Sequence, residues 1–196
     1  GMQINYSLTT DDWMEVYKKL VYWEIELENS QVPMTDMLRM QKQEANNAFG
    51  KFVKKNYVDW IQHPEIRPLM SPDLFKKKVF PMLDNGDKVF FILIDNFRLD
   101  QWREAKDLLA EAPLHHPPLP PATQYARNSI FSGLMPLQIE KMFPELWVDE
   151  DSEEGKNLNE APLIQTQIER FRKKYTFSYH KVHDSQYNDK LLNSVP

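Results

Sequence analysis

The sequence contains no cysteine. That excludes a disulfide scaffold and thiolate chemistry, and it is compatible with a cytosolic home. No segment approaches the roughly 20 apolar residues of a membrane span. The opening GMQINYSLTT lacks the basic region and apolar core of a signal peptide. The expectation is therefore a cytoplasmic chain without a membrane partner. Gly1 ahead of Met2 reads as a cleavage scar, compatible with Met2 lying inside a longer protein. A basic excess is missing too. Net charge is −5, so there is no global field for nucleic acid. Residues 145–160 hold seven acids against one lysine, leaving the remainder near neutral. That stretch reads as a solvated loop. The runs Lys54-Lys55 and Lys76-Lys77-Lys78 read as exposed helix faces.

What is present suits a globular chain of one domain or two small ones: 196 residues, 41% apolar and 12% aromatic. From about Thr10 to Leu83 the apolar period is helical. Asp11 and Asp12 suit a helix start, where the dipole favours anions. Trp13, Val16, Tyr17, Leu20, Trp23 and Leu27 recur at spacings of three and four. Pro33 opens a second, long helix. Its stripe runs Met34, Met37, Leu38, Gln41, Ala45, Ala48, Phe49, Phe52 and Trp60, and His63-Pro64 ends it. Ser71-Pro72-Asp73 places a cap and a first-turn proline at the head of a third helix. Three amphipathic helices predict a bundle over residues 1–86, with its Met and aromatic stripes as core.

The period changes at VFFILIDNFRLDQW, residues 89–102. Six apolar residues from Val89 to Ile94, preceded by the turn signal Asp84-Asn85-Gly86-Asp87, predict a strand over 88–94 buried on both faces. Leu99, Trp102, Ala105, Leu108 and Leu109 then recur at helical spacing. Asp95 thus falls at a strand's carboxyl end, the edge where α/β sheets hold ligands. Two readings stand. Asp95 caps the following helix, or it is a carboxylate that a metal or partner must neutralise. The rest reads as helix (98–110), a proline-rich loop, helices (123–132 and 136–143), the acidic loop, helix (162–174) and strand (175–182). Alternating strands and helices imply an α/β class. Two strands are too few for a stable sheet, so the α/β part is expected to be cut short.

The stretch HHPPLPPATQYARNSIFSGL, residues 115–134, carries the second signal. Thr123 falls at a helix N-terminus, either as a cap or as a nucleophile whose target phosphate meets free amides and a positive dipole end. A strand-end Asp95 followed, 28 residues on, by a helix-start Thr123 is an order in which a metal-dependent phosphoryl-transfer site can be assembled.

FILIDNFRLDQW and PPATQYARNSIFSGLMP resemble the PglZ domain, a branch of the alkaline phosphatase superfamily. DDWMEVYKKLVYWEIELENS and MSPDLFKKKVFP resemble the helical linker of PorX-type response regulators of Bacteroidetes, associated with type IX secretion. The resemblance covers nearly the whole chain from about residue 10. It implies a helical linker over residues 1–86 and the N-terminal part of an alkaline-phosphatase-like α/β domain over 87–196. Asp95 would be a metal ligand, and Thr123 both nucleophile and metal ligand. Asn96, Arg127 and Asn128 would give support or contact phosphate. The implied cofactor is zinc, two ions in the full-length protein and none in this piece. The implied activity is a phosphodiesterase or phosphatase, with a nucleotide or oligonucleotide as a possible substrate. The implied partners are an upstream receiver domain, a sensor histidine kinase, a sigma factor and a second copy in a homodimer. The alternative is a non-catalytic signalling module that binds a transcription or secretion partner.

The sequence departs from this pattern downstream. The superfamily completes its site with Asp-x-x-x-His and Asp-His. Asp59 and His63 have the first spacing but precede Asp95, and His63 suits a helix C-terminus. His180 and His183 would point to opposite faces of a strand, with Asp184 beside them. His115-His116 has no nearby carboxylate. Asp95 and Thr123 alone cannot close a zinc cage of about four ligands, so an incomplete, inactive domain is expected.

Overall fold

The computed structural model describes residues 7–28, 35–105, 123–147 and 158–182. Two compact units are present: residues 1–70 with 90–121, and residues 71–89 with 122–196.

The first unit is built on α1 (Thr10–Glu28) and α2 (Thr35–Gln62). The start of α1 is held by a reciprocal cap. The Asp12 amide donates to the Thr9 hydroxyl at 3.2 Å, and the Thr9 amide donates to the Asp12 carboxylate at 2.8 Å. That backbone bond and the Thr9 hydroxyl keep the Asp12 carboxyl below its usual value. Asp12 therefore acts through a specific bond as well as through the dipole. Trp13, Leu20 and Ala45 form the buried seam between the two helices, with Val16, Leu38, Phe49 and Phe52 packed around it. The Trp13 ring meets Phe49 edge-on at 5.3 Å, and Phe52 meets Trp60 at 5.6 Å. Lys42 reaches Glu24 across the pair.

The expected α1 stripe is only partly core. Tyr17 and Trp23 are about half exposed, while Val21 is buried. The physical reason is a second neighbour. Arg103 in α4 (Leu99–Ala105) donates to the Lys18 carbonyl at 3.1 Å, and its guanidinium lies over the Tyr22 ring. Residues 18, 21 and 22 share that side of the helix, so α1 divides its apolar residues between two contacts.

The second unit contains a short distorted helix. A 3-10 turn (Ser71–Asp73) leads into a π turn (Phe75–Val79) and then α3 (Phe80–Asp84). Pro81 has no amide with which to continue the i→i−4 ladder. The chain instead closes an i→i−5 bond from the Phe80 amide to the Phe75 carbonyl. Lys76, Lys77 and Lys78 lie exposed on this turn, as expected. α5 (Thr123–Ser132) packs on α7 (Glu160–Arg170), with α6 (Pro136–Met142) beside them. Ile130, Phe131, Ile139, Leu163, Ile164 and Ile168 fill the core, joined by Phe75 and Phe80. Gly133 ends α5 at φ +66° and lies against Gln167, where a side chain's first carbon would fall 2.5 Å from Nε2.

The α/β class is overturned. Among the described residues there is no strand and no sheet; the fold is all-α. Residues 87–94 form no ladder. Val89, Phe91 and Leu93 are half-buried, while Phe90, Ile92 and Ile94 are exposed, Phe90 by 74%. The predicted 175–182 strand is likewise irregular, and Tyr175 and Tyr179 make ring contacts with Phe80 and Phe131. A continuous apolar run specifies a chain that can be covered on two faces. A strand also needs a neighbouring strand to pair with along its length, and among the described residues neither segment belongs to a ladder.

Candidate functional site

Asp95 and Asn96 form an exposed turn directly after the apolar run. The Asn96 amide donates to Asp95 Oδ1 at 3.0 Å, and Asn96 stands at φ +54°, a left-handed conformation that Asn tolerates better than most residues. The N-cap position of α4 is three residues beyond Asp95, at Arg98. There the Gln101 side chain accepts the Arg98 amide at 2.9 Å. Arg98 also pairs with Asp100, which holds that carboxyl below its usual value.

Thr123 is the first residue of α5, as the proline-rich approach predicts. Its side chain lies outside the described residues. Asp95 belongs to the first compact unit and Thr123 to the second, and each is described within its own.

Arg127 and Asn128, one turn further along α5, are drawn into the packing. Arg127 donates from Nε and Nη2 to the two carboxylate oxygens of Glu160, at 2.6 and 2.9 Å. The Glu160 side chain has no exposed surface, and that of Arg127 is only 16% exposed. Tyr179 donates its hydroxyl to the same carboxylate. Burial, then the Glu160 hydrogen bond, pushes the Tyr179 phenol above its usual value. Glu160 opens α7, so its charge also meets the positive end of that helix. Through these bonds Arg127 ties α5 to α7 and to the segment carrying Tyr179. Asn128 is buried, and its Oδ1 has no partner among the described residues.

Glu160 and Tyr179 are the residues that sequence reasoning missed. Glu160 closes the acidic stretch that reads as solvated loop, and for this residue that reading fails. Pro162 carried the signal: proline suits a helix's first turn, which moves Glu160 from the loop to a helix start. Residues 148–157 of the stretch lie outside the described residues.

Among the described residues no three His, Asp or Glu side chains form a group able to hold a metal ion. His63 ends α2, with Nδ1 3.3 Å from Glu65. His180 is exposed. His115, His116, His183 and Asp184 lie outside the described residues. No described helix is long and apolar enough to cross a membrane.

Comparison with known families matches both parts of the chain. Residues 1–61 match the PorX response regulator linker domain. Residues 74–195 match the BREX system PglZ alkaline phosphatase-like domain. No curated protein matches. With the matched segment covering more than half of its length and containing Asp95, Thr123, Arg127 and Asn128, the chain belongs to the PglZ alkaline-phosphatase-like family and carries a PorX-type linker ahead of that region.

Proposed function

We propose that this chain is the linker and output stretch of a PorX-type two-component response regulator. Its PglZ region would belong to a zinc-dependent phosphodiesterase or phosphatase acting on a nucleotide or oligonucleotide. The observation that carries the reading is the order of the two family segments on one chain, linker first and hydrolase-family region second. Thr123 at the head of α5 supports it further, because a helix N-terminus presents free amides to a phosphate. In this reading the Thr123 hydroxyl attacks the phosphorus, and the bond to one ester oxygen breaks. That alcohol leaves with the hydroxyl's proton, and water then hydrolyses the phospho-threonine. Arg127, held by Glu160, keeps the first turns of α5 in place. A receiver domain and its histidine kinase would act through the helical linker.

Zinc requires three or four protein ligands. Among the described residues no group of side chains meets that requirement. The chain by itself is accordingly proposed to hold no tight zinc and to turn over no phosphodiester. The test is hydrolysis of bis(p-nitrophenyl) phosphate, with metal content measured alongside. It compares the 196-residue chain, the whole response regulator, and that regulator with Thr123→Ala. The expected result is activity and zinc in the whole protein, zinc without turnover in Thr123→Ala, and neither in the chain. A fully active Thr123→Ala protein would show that the nucleophile is another residue.

A further inference from the structure

A groove of about 760 Å³ runs along the long helix α2, where Leu8 and Trp13 meet it. That volume falls within the roughly 300–1,000 Å³ of ordinary ligand sites. Its apolar lining includes Leu8, Trp13, Met40 and Phe52. Its polar lining includes Gln43, Glu44, Asn47, Lys51 and Lys55, all of them exposed. None of these polar side chains has a hydrogen bond or ion pair among the described residues. Trp13 supplies a further unused group. It is only 6% exposed, and its indole Nε1 has no acceptor among the described residues. A buried donor left unpaired is uncommon, and an acceptor on a bound molecule would satisfy it.

The dimensions select the shape of the occupant. The lining residues of α2 run from Met40 to Asn56, about 24 Å of helix. Volume over length leaves a cross-section of roughly 30 Å². A helix 10–12 Å across needs roughly 80–110 Å² and would rest on the groove, whereas an extended chain fits within it. About seven extended residues match the length. The spacing agrees. Gln43, Asn47, Lys51 and Lys55 recur every four residues, a step of about 6 Å along the helix axis. Alternate residues of an extended chain lie about 6.6–6.8 Å apart. The two repeats drift by only about 2 Å over three steps, which the long lysine side chains absorb.

Charge selects the composition. Between residues 43 and 56 there is one acid, Glu44, against Lys51, Lys54 and Lys55. Lys51 and Lys55 thus match two acids at alternate positions of the bound chain. The side-chain amides of Gln43 and Asn47 each offer donors and an acceptor to its backbone. Single-stranded nucleic acid fits less well, because base stacking uses an open aromatic face. Trp13 is covered and Phe52 is half-buried.

We propose that this groove is a docking site for an extended, acidic peptide segment of a partner protein, with acids at alternate positions held by Lys51 and Lys55. The inference rests on the first unit alone and is independent of the hydrolytic reading.

The probe is a capped hexapeptide that alternates leucine with glutamate, titrated into the isotope-labelled 196-residue chain and followed by NMR. Its counterpart alternates leucine with lysine. The glutamate peptide should move the Trp13 indole N–H resonance and backbone amides between residues 43 and 56. The lysine peptide should bind at least about tenfold more weakly. Lys51→Glu and Lys55→Glu together should reverse that preference. Both side chains are exposed, so far-UV circular dichroism should be unchanged. An octathymidine strand should bind these residues more weakly than the glutamate peptide. Resonances that stay in place would overturn the proposal. So would equal binding of the two peptides, a double variant that keeps the native preference, or tighter binding of octathymidine.

Discussion

Replacing Glu160 by Ala is the sharpest probe of the second unit. The carboxylate has no exposed surface, and it receives two bonds from Arg127 and one from Tyr179. Removing it leaves a guanidinium that is only 16% exposed without its counter-charge. Breaking a buried pair in this way costs about 3–5 kcal/mol, against a total of roughly 5–15 kcal/mol for a small domain. Glu160→Ala should therefore nearly unfold the α5–α7 pairing. Arg127→Ala should sit toward the lower end of the same range, because Tyr179 and the N-terminus of α7 still stabilise the remaining carboxylate. Removing both charges at once, with Arg127→Met and Glu160→Leu, should cost no more than about 1 kcal/mol. The assay is urea unfolding followed by hydrogen exchange on α5 and α7. Site-resolved exchange is needed because two compact units need not unfold in one transition. A Glu160→Ala cost below about 1 kcal/mol, the size of an exposed pair, would refute the reasoning.

Other outcomes follow from single observations. Gly133→Ala forces a side chain into a left-handed residue and against Gln167; it should cost at least about 1–2 kcal/mol in thermal unfolding. Thr9→Ala removes the cap of α1 and should cost about 0.5–2 kcal/mol, read as faster amide exchange in the first turn. Lys173, then Tyr175, hold the Asp84 carboxyl below its ordinary 3.8. The contribution of this contact is therefore fully present above pH 3.8 and fades as pH falls through the lowered folded value. Lys173→Met should move the Asp84 titration upward in carboxyl-carbon NMR, and no movement would show that the contact is unimportant.

Much of the helical content was determined by the sequence alone. The spacings around Trp13, Leu20, Ala45 and Phe52 dictate two amphipathic helices, because a periodic apolar stripe can be buried only if the chain coils at that period. The proline-rich approach to Thr123 likewise marked the start of α5. The quoted motifs around Asp95 and Thr123 identified the family, since they depend on residue order and not on packing. Three things were decided only by tertiary structure. The run from Val89 to Ile94 has strand composition, but a strand also depends on a partner's amides and carbonyls, which local sequence does not supply. Tyr17 and Trp23 lie on the apolar stripe, yet α4 drew α1 toward Val21 and Tyr22 instead. Glu160 looked like one more solvated acid. It is buried because Arg127 and Tyr179, 33 residues before it and 19 after it, converge on it to satisfy its charge, and pairing over such distances is invisible to any local pattern.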